Sequence, residues 1–222
     1  MEEKDIIFVL GGPGSGKGTQ ATRISQEFDI GYLSAGDLLR NASKIAKNPP
    51  PGFDETLLAE YKEIDQIIAE GKLVPAHVTI KLLRDAMIQG KQKHWFIDGF
   101  PRDLSQEAEF VEKCKPCVAL LFIDVPDEEL TKRLLNRGKT SGRIDDNEES
   151  IKKRLVTYNN QTRPVIEKFQ AENKVISVDG NRAIDVVHDD IVAQLRKVWS
   201  DLPAEPKSKS ATAKQSKCCL LI

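Results

Sequence analysis

Apolar residues fall into two kinds of run along this chain. Residues 6–10 (IIFVL), 94–98 (HWFID), 118–125 (VALLFIDV) and 174–178 (KVISV) are short and almost continuous, the pattern of strands covered on both faces. Elsewhere apolar positions recur at helical spacing. A helical stretch follows the first strand to about Phe28. Val78, Leu82, Leu83, Ala86 and Met87 share one helical face, and so do Ile151, Leu155, Tyr158, Thr162, Val165 and Phe169. Asn147 is a candidate N-cap for the second of these helices, with Glu148 and Glu149 opposing the helix dipole. Residues 184–198 complete a last amphipathic helix. Strands alternating with helices predict an α/β fold, a parallel sheet with helices on both faces.

Two segments interrupt the alternation, and both read as insertions on the core. Residues 41–74 contain KNPPPGF, a Pro-Gly stop, and then a helical stretch ending at Gly71. Residues 137–147 (RGKTSGRIDDN) are polar and glycine-containing, without apolar periodicity. Past Leu202 the composition shifts to a low-complexity Lys/Ser/Ala tail, so one domain is expected over 1–202 and a disordered basic tail over 203–222. No internal repeat is visible.

The 222 residues are enough for one domain with a sizeable core. A net charge of −1 gives no global attraction to nucleic acid or membrane. The N-terminus lacks a signal-peptide profile, and the apolar runs are too short to span a bilayer. A cytoplasmic protein with its four cysteines reduced is the expectation. Cys114 and Cys117 form a C-x-x-C, but the pair leads into a strand rather than heading a helix. The three histidines are scattered, so neither a redox nor a zinc role is supported.

Candidate chemistry begins at residues 10–20, LGGPGSGKGTQ. The pattern G-x-x-x-x-G-K-[ST] fits from Gly11 to Lys17, yet Gly18 stands where a Mg²⁺-binding hydroxyl is usual, and Thr19 comes one place late. Strand, glycine turn, lysine and helix nevertheless make a polyphosphate cradle, with inward N–H groups and a helix N-terminus. Asp98 closes the HWFID strand and precedes GFPR, at the strand end where ligands bind in such sheets. If Asp98 holds Mg²⁺ through water, the missing hydroxyl matters less and the metal binds mainly to substrate phosphates. Asp124 closes another strand but lacks the following Gly-Phe-Pro-Arg. Arg40, Arg102, Arg133, Arg137, Arg143 and Arg154 bracket the loop and the two insertions, as phosphoryl transfer requires.

GGPGSGKGTQ, LSAGDLLR (33–40), EGKLVP (70–75), IDGFPR (97–102) and RGKTSGRIDDNEESIKKRL (137–155) together resemble the short-lid adenylate and UMP-CMP kinases, a nucleoside monophosphate kinase family. The resemblance runs from about Ile6 to Val198. It implies a P-loop NTPase-type fold with a parallel five-stranded sheet, a monophosphate-binding insertion at 34–75 and a lid at 137–147. It implies ATP as phosphoryl donor and Mg²⁺ as cofactor. Gly12, Pro13, Gly14, Ser15, Gly16, Lys17, Gly18 and Thr19 would bind the ATP phosphates, and Arg133 would stack on the ATP base. Arg40 and Arg102 would grip the monophosphate, with Ala35, Val74, Gly99 and Gln106 around it. Arg137, Arg143 and Arg154 would surround the moving phosphoryl, Asp145 and Asp146 would help to close the lid, and Asp98 would order the Mg²⁺ waters. A lid without cysteine excludes a zinc-bearing long lid. A monomer is expected, because the insertions must move freely.

The acceptor base stays open between two readings. Ala35 in LSAGD resembles UMP-CMP kinases, whereas adenylate kinases usually carry Thr there. Gln106 sits where a side-chain amide reads the base and is usual for adenine, although an amide offers both donor and acceptor. UMP and CMP are favoured, with AMP secondary. The tail ends Cys219-Leu220-Leu221-Ile222, a C-a-a-X arrangement preceded by Cys218 and by Lys207, Lys209, Lys214 and Lys217. Either it is a lipidated membrane anchor on a basic stretch, or a polar tail with an accidental ending. Dispersed lysines without aromatics argue against nucleic-acid binding. A prenylated small GTPase is rejected, because GK[ST] and N-K-x-D are both missing. A P-loop kinase for another metabolite leaves the match through both insertions unexplained.

Overall fold

The computed structural model describes residues 3–69, 74–139 and 147–206. Gly71, the lid residues Arg143, Asp145 and Asp146, and the tail residues Lys207, Lys209, Lys214, Lys217, Cys218 and Cys219 lie outside the described residues.

Five parallel strands form one sheet in the order β2-β3-β1-β4-β5. They are β1 (Asp5–Leu10), β2 (Gly31–Ser34), β3 (His94–Asp98), β4 (Ala119–Asp124) and β5 (Val175–Asp179). Around them run α1 (Lys17–Phe28), α2 (Ala35–Lys47), α3 (Glu55–Ala69), α4 (Ala76–Gln89), α5 (Leu104–Lys113), α6 (Asp127–Gly138), α7 (Glu148–Thr157), α8 (Arg163–Ala171) and α9 (Ile184–Val198). β1 is central, and its alternate side chains enter two separate cores, as a period of two requires. Ile6, Phe8 and Leu10 join Leu83 and Met87 of α4, Phe110 of α5 and Val165 and Phe169 of α8. Ile7 and Val9 join Ala21 and Ile24 of α1, Leu130 of α6 and Ile191 and Leu195 of α9. This double burial explains the unbroken apolar run in β1.

The four strands anticipated from apolar runs are present within a residue or so of their ends. The fifth, β2, has only the four residues GYLS on the sheet edge, with alternating burial, and leaves little apolar signal. It pairs with β3 from Gly31↔Trp95 to Ser34↔Asp98.

Two helical readings need correction. The expected single face of α4 is divided: Leu83, Ala86 and Met87 face the sheet. Val78 and Leu82 pack on a third small core with Ala42, Tyr61 and Ile64 of α2 and α3. The helix expected from 147 through Phe169 is likewise not continuous. Asn147 caps α7 as anticipated, accepting from Ser150 N, but a π-helical turn over Tyr158–Thr162 separates α7 from α8. Pro164 opens α8 and has no N–H to continue an ordinary helical ladder. The wider turn keeps Tyr158 and Thr162 both buried. It also lets Thr162 Oγ1 donate to the Arg102 carbonyl at 3.0 Å, tying the helix to the strand-end loop after β3.

After α9 the chain turns back beneath the sheet. Trp199 stacks on the His94 ring at 4.4 Å, and Asp201 accepts from Lys93 and His94 at 2.6 and 2.9 Å.

Phe8 is the aromatic hub of the first core, edge-on to Phe100, Phe110 and Phe169 at 6.0, 5.2 and 6.3 Å. Phe8→Ala should lower stability by about 3–5 kcal/mol, the usual cost of emptying a buried aromatic position. Chemical denaturation checks this; a loss under 1 kcal/mol would contradict this packing.

Candidate active site

Connections from β1 run towards β3 and β2 on one side, while β4 and β5 lie on the other, so a crevice opens at the carboxyl end of β1. The glycine loop fills it. Gly14 has a φ of 88°, which disfavours L side chains, and a Cβ on Gly12 would lie 2.2 Å from Leu130 Cδ1 of α6. The loop is therefore held close against α6, with Ser15 N bonded to Gly12 O at 3.1 Å. Pro13 and Gly16 are half-buried and Thr19 is exposed.

Lys17 begins α1 and donates to Gly12 O at 3.3 Å. The residue as a whole is half-buried, but its ammonium lies deep in the cleft, and desolvation lowers its pKa. Asp98 opposes that shift, while Arg102, Arg154 and Arg137 reinforce it. One lysine thus feels three arginines carried by the loop after β3, by α7 and by α6.

Asp98 ends β3 and is buried. Its Oδ2 accepts from the Tyr32 hydroxyl at 2.9 Å, while Oδ1 is buried with no hydrogen-bond partner among the described residues. The Ser15 hydroxyl is in the same condition. A Cβ on Gly18 would lie 3.4 Å from Asp98 Oδ2 and 3.5 Å from Tyr32 Oη, so the position lacking the usual hydroxyl faces this pair directly.

Gly99 follows with a φ of 72° and returns its N–H to Val9 O at 3.2 Å, turning the chain into Arg102. Arg102 Nε donates to Gly99 O at 3.2 Å, and its backbone N–H donates to Gln106 Oε1 at 2.9 Å. Desolvation, then Arg154 and Arg40, lower the Arg102 pKa. Arg102 is exposed to water, which screens these repulsions. Arg40, on α2, pairs with Asp37 at 2.5 Å. Ala35 is buried at the first position of α2, after Ser34, whose hydroxyl caps the helix by accepting from Asp37 N. Val74 packs against the third core.

Arg133 is fixed at the cleft's other end. It donates to Glu129 Oε1, the Gly180 carbonyl and Asn181 Oδ1, each at 3.1 Å. Asp124 flanks β1 on the side opposite Asp98; it is exposed and lines a 440 Å³ cavity with Asp127, Arg163, Asp179 and Asn181, the last of which bonds Arg133. Burial raises the pKa values of Cys114 and Cys117, that of Cys117 to about 12, which makes these two thiols poor nucleophiles.

Tyr32, Gly180 and Asn181 escaped the sequence reading, and Thr162 was placed on an apolar helical face without its bond to the Arg102 carbonyl. Tyr32 belongs to the unseen edge strand and Thr162 to the unseen π-turn. Gly180 and Asn181 follow β5 in VDGN, where glycine at a strand end was the available signal.

No cluster of three metal-ligating side chains occurs among the described residues. The donor set does fit a Mg²⁺ held chiefly by polyphosphate oxygens, because Asp98 offers one buried unpartnered oxygen beside the loop.

A family model described as adenylate kinase matches residues 9–174. The chain is 43% identical to "Adenylate kinase 1" of Schistosoma mansoni over 199 residues, covering 89% of this chain and 95% of the relative. It is 42% identical to "Adenylate kinase isoenzyme 1" of Homo sapiens, covering 88% and 98%. It is 44% identical to "UMP-CMP kinase 3" of Oryza sativa subsp. japonica, covering 85% and 84%.

Burial holds the folded Lys17 pKa below its unfolded value, so between the two values the unfolded chain binds the extra proton. The residue's cost to stability is complete below the folded pKa and disappears as pH rises to the ordinary 10.5. Lys17→Met should therefore match or exceed the wild-type Tm at pH 7, with any advantage shrinking as pH rises. Thermal unfolding across pH checks this; a Met variant well below wild type at pH 7 would contradict it.

Proposed function

The chain belongs to the adenylate kinase family, and on that basis we propose that it is a nucleoside monophosphate kinase preferring UMP and CMP, with AMP as a secondary acceptor. The observation that carries the kinase reading is the gathering of Asp98, Arg102, Arg154 and Arg137 around the buried ammonium of Lys17. Phosphoryl transfer leaves a protein little covalent chemistry, so positioning and positive charge are most of the catalyst.

An oxygen of the acceptor's phosphate attacks the γ-phosphorus of ATP. The bond from that phosphorus to the β,γ-bridging oxygen breaks, and ADP leaves with the electron pair. Lys17 and the N–H groups of residues 12–19 hold the donor's phosphates, and Arg133 covers its base. Arg40 and Arg102 hold the acceptor phosphate as the attacking group. Arg137 and Arg154 neutralise charge on the moving phosphoryl, with Arg143 as a further contributor outside the described residues. Bound Mg²⁺ supplies charge neutralisation at the phosphate oxygens, with Asp98 its protein anchor through water. Segments 34–75 and 137–147 act as the acceptor-binding insertion and lid, excluding water that would otherwise take the phosphoryl.

For the base, the buried methyl of Ala35 supports the pyrimidine reading, since no hydroxyl is offered there. AMP is favoured instead by Gln106. Its Oε1 is engaged by the Arg102 N–H, which leaves Nε2 to donate to a ring nitrogen. Relatives named adenylate kinase and UMP-CMP kinase are similar at almost the same identity, so they do not separate the two.

Initial rates with Mg-ATP and each of AMP, UMP, CMP and GMP test the proposal. UMP and CMP should lead, and Ala35→Thr should move kcat/KM towards AMP by about 10-fold, the worth of one hydrogen bond. A wild-type lead for AMP would transfer base choice to Gln106. No turnover with any acceptor would overturn the kinase reading. Arg102→Ala should cost roughly 10³-fold in kcat/KM without abolishing folding; a loss under 10-fold would remove it from the acceptor site.

A further inference from the structure

Tyr32 lies outside the loop, the arginine set and the insertions, yet its hydroxyl donates a hydrogen bond to the side chain of Asp98. We infer that Tyr32 is the positioning residue for Asp98, orienting from β2 the carboxylate that faces Gly18. The inference rests on the kinase reading and not on the choice of acceptor base.

Three observations carry it. The Tyr32 hydroxyl donates to Oδ2 at 2.9 Å, which leaves Oδ1 as the buried oxygen without a partner among the described residues. A carboxylate held by one oxygen has its other oxygen fixed in direction, the usual device by which an outer partner orients a metal-side ligand. Next, the absent Gly18 side chain would begin within 3.5 Å of both groups, so the space at the head of α1 belongs to the Asp98–Tyr32 pair. Finally, register makes the contact structural rather than incidental. Ser34 is paired with Asp98 along the sheet, and Tyr32 precedes it by two residues on the same strand face.

The hydroxyl is built to stay a donor. Desolvation, then the Asp98 charge and its hydrogen bond, raise the Tyr32 pKa well above the ordinary phenol value, and Thr22 on α1 is a further hydrogen-bonding partner. The ring packs against the second core. Tyr32→Phe therefore removes the donor and keeps the packing.

The test uses Mn²⁺ as the metal probe, following free Mn²⁺ by electron paramagnetic resonance in titrations of the ATP-loaded full chain. Tyr32→Phe should weaken Mn²⁺ binding and lower kcat by about 10-fold each. Acceptor KM, metal-free ATP affinity and Tm should stay near wild type. Adding Tyr32→Phe to Asp98→Asn should change Mn²⁺ affinity no further, because the residue acts through that carboxylate. Wild-type Mn²⁺ affinity in Tyr32→Phe, or a full additional loss in the double variant, would overturn the inference. A wild-type chain that binds Mn-ATP but phosphorylates no nucleoside monophosphate would overturn the kinase reading and leave the Tyr32 result standing.

Discussion

A desolvated ammonium surrounded by like charge is the constraint on which the site depends. Burial penalises the charged form of Lys17, three arginines add to the penalty, and one carboxylate relieves part of it. Such an arrangement is costly in the folded chain alone. It becomes favourable when a polyanion enters, because each cation then meets opposite charge in a water-poor cleft where electrostatic interactions are strong. Strain of this kind is a common cost of function, and the surrounding fold has to bear it.

The sheet bears it by sending β1 through the middle with both faces buried. Its two cores fix the strand end from which the glycine loop springs, and α6 presses on that loop through Leu130 and Leu134. The arginines arrive from different elements, Arg40 from α2, Arg102 from the loop after β3, Arg137 from α6 and Arg154 from α7. Thr162 in the π-turn and Gln106 in α5 both bond the backbone of Arg102, which ties this residue to two helical elements.

Much of this was legible in the residues. Continuous burial of β1, β3 and β4 wrote itself as apolar runs, and the loop's chemistry was visible because phosphate cradling needs glycine and lysine at fixed spacing. What stayed hidden has physical reasons. β2 is four residues long with one half-buried side, so periodicity had nothing to register. Tyr32 therefore went unnoticed, although it faces the very position where Gly18 departs from the loop pattern. The π-turn preserved the apolar stripe of a continuous helix, with Tyr158, Thr162 and Val165 all buried, and so concealed the break. In α4 the stripe merged two faces that serve different cores.

The central claim is that this concentration of cations moves a phosphoryl group to another nucleotide and withholds it from water. The most direct measurement traces γ-³²P from ATP in the presence of Mg²⁺ and a nucleoside monophosphate. The account predicts that the label appears in the nucleoside diphosphate, with release of free phosphate slower by about 10³-fold or more when the acceptor is omitted. Label appearing chiefly as free phosphate, at a rate indifferent to the acceptor, would contradict it.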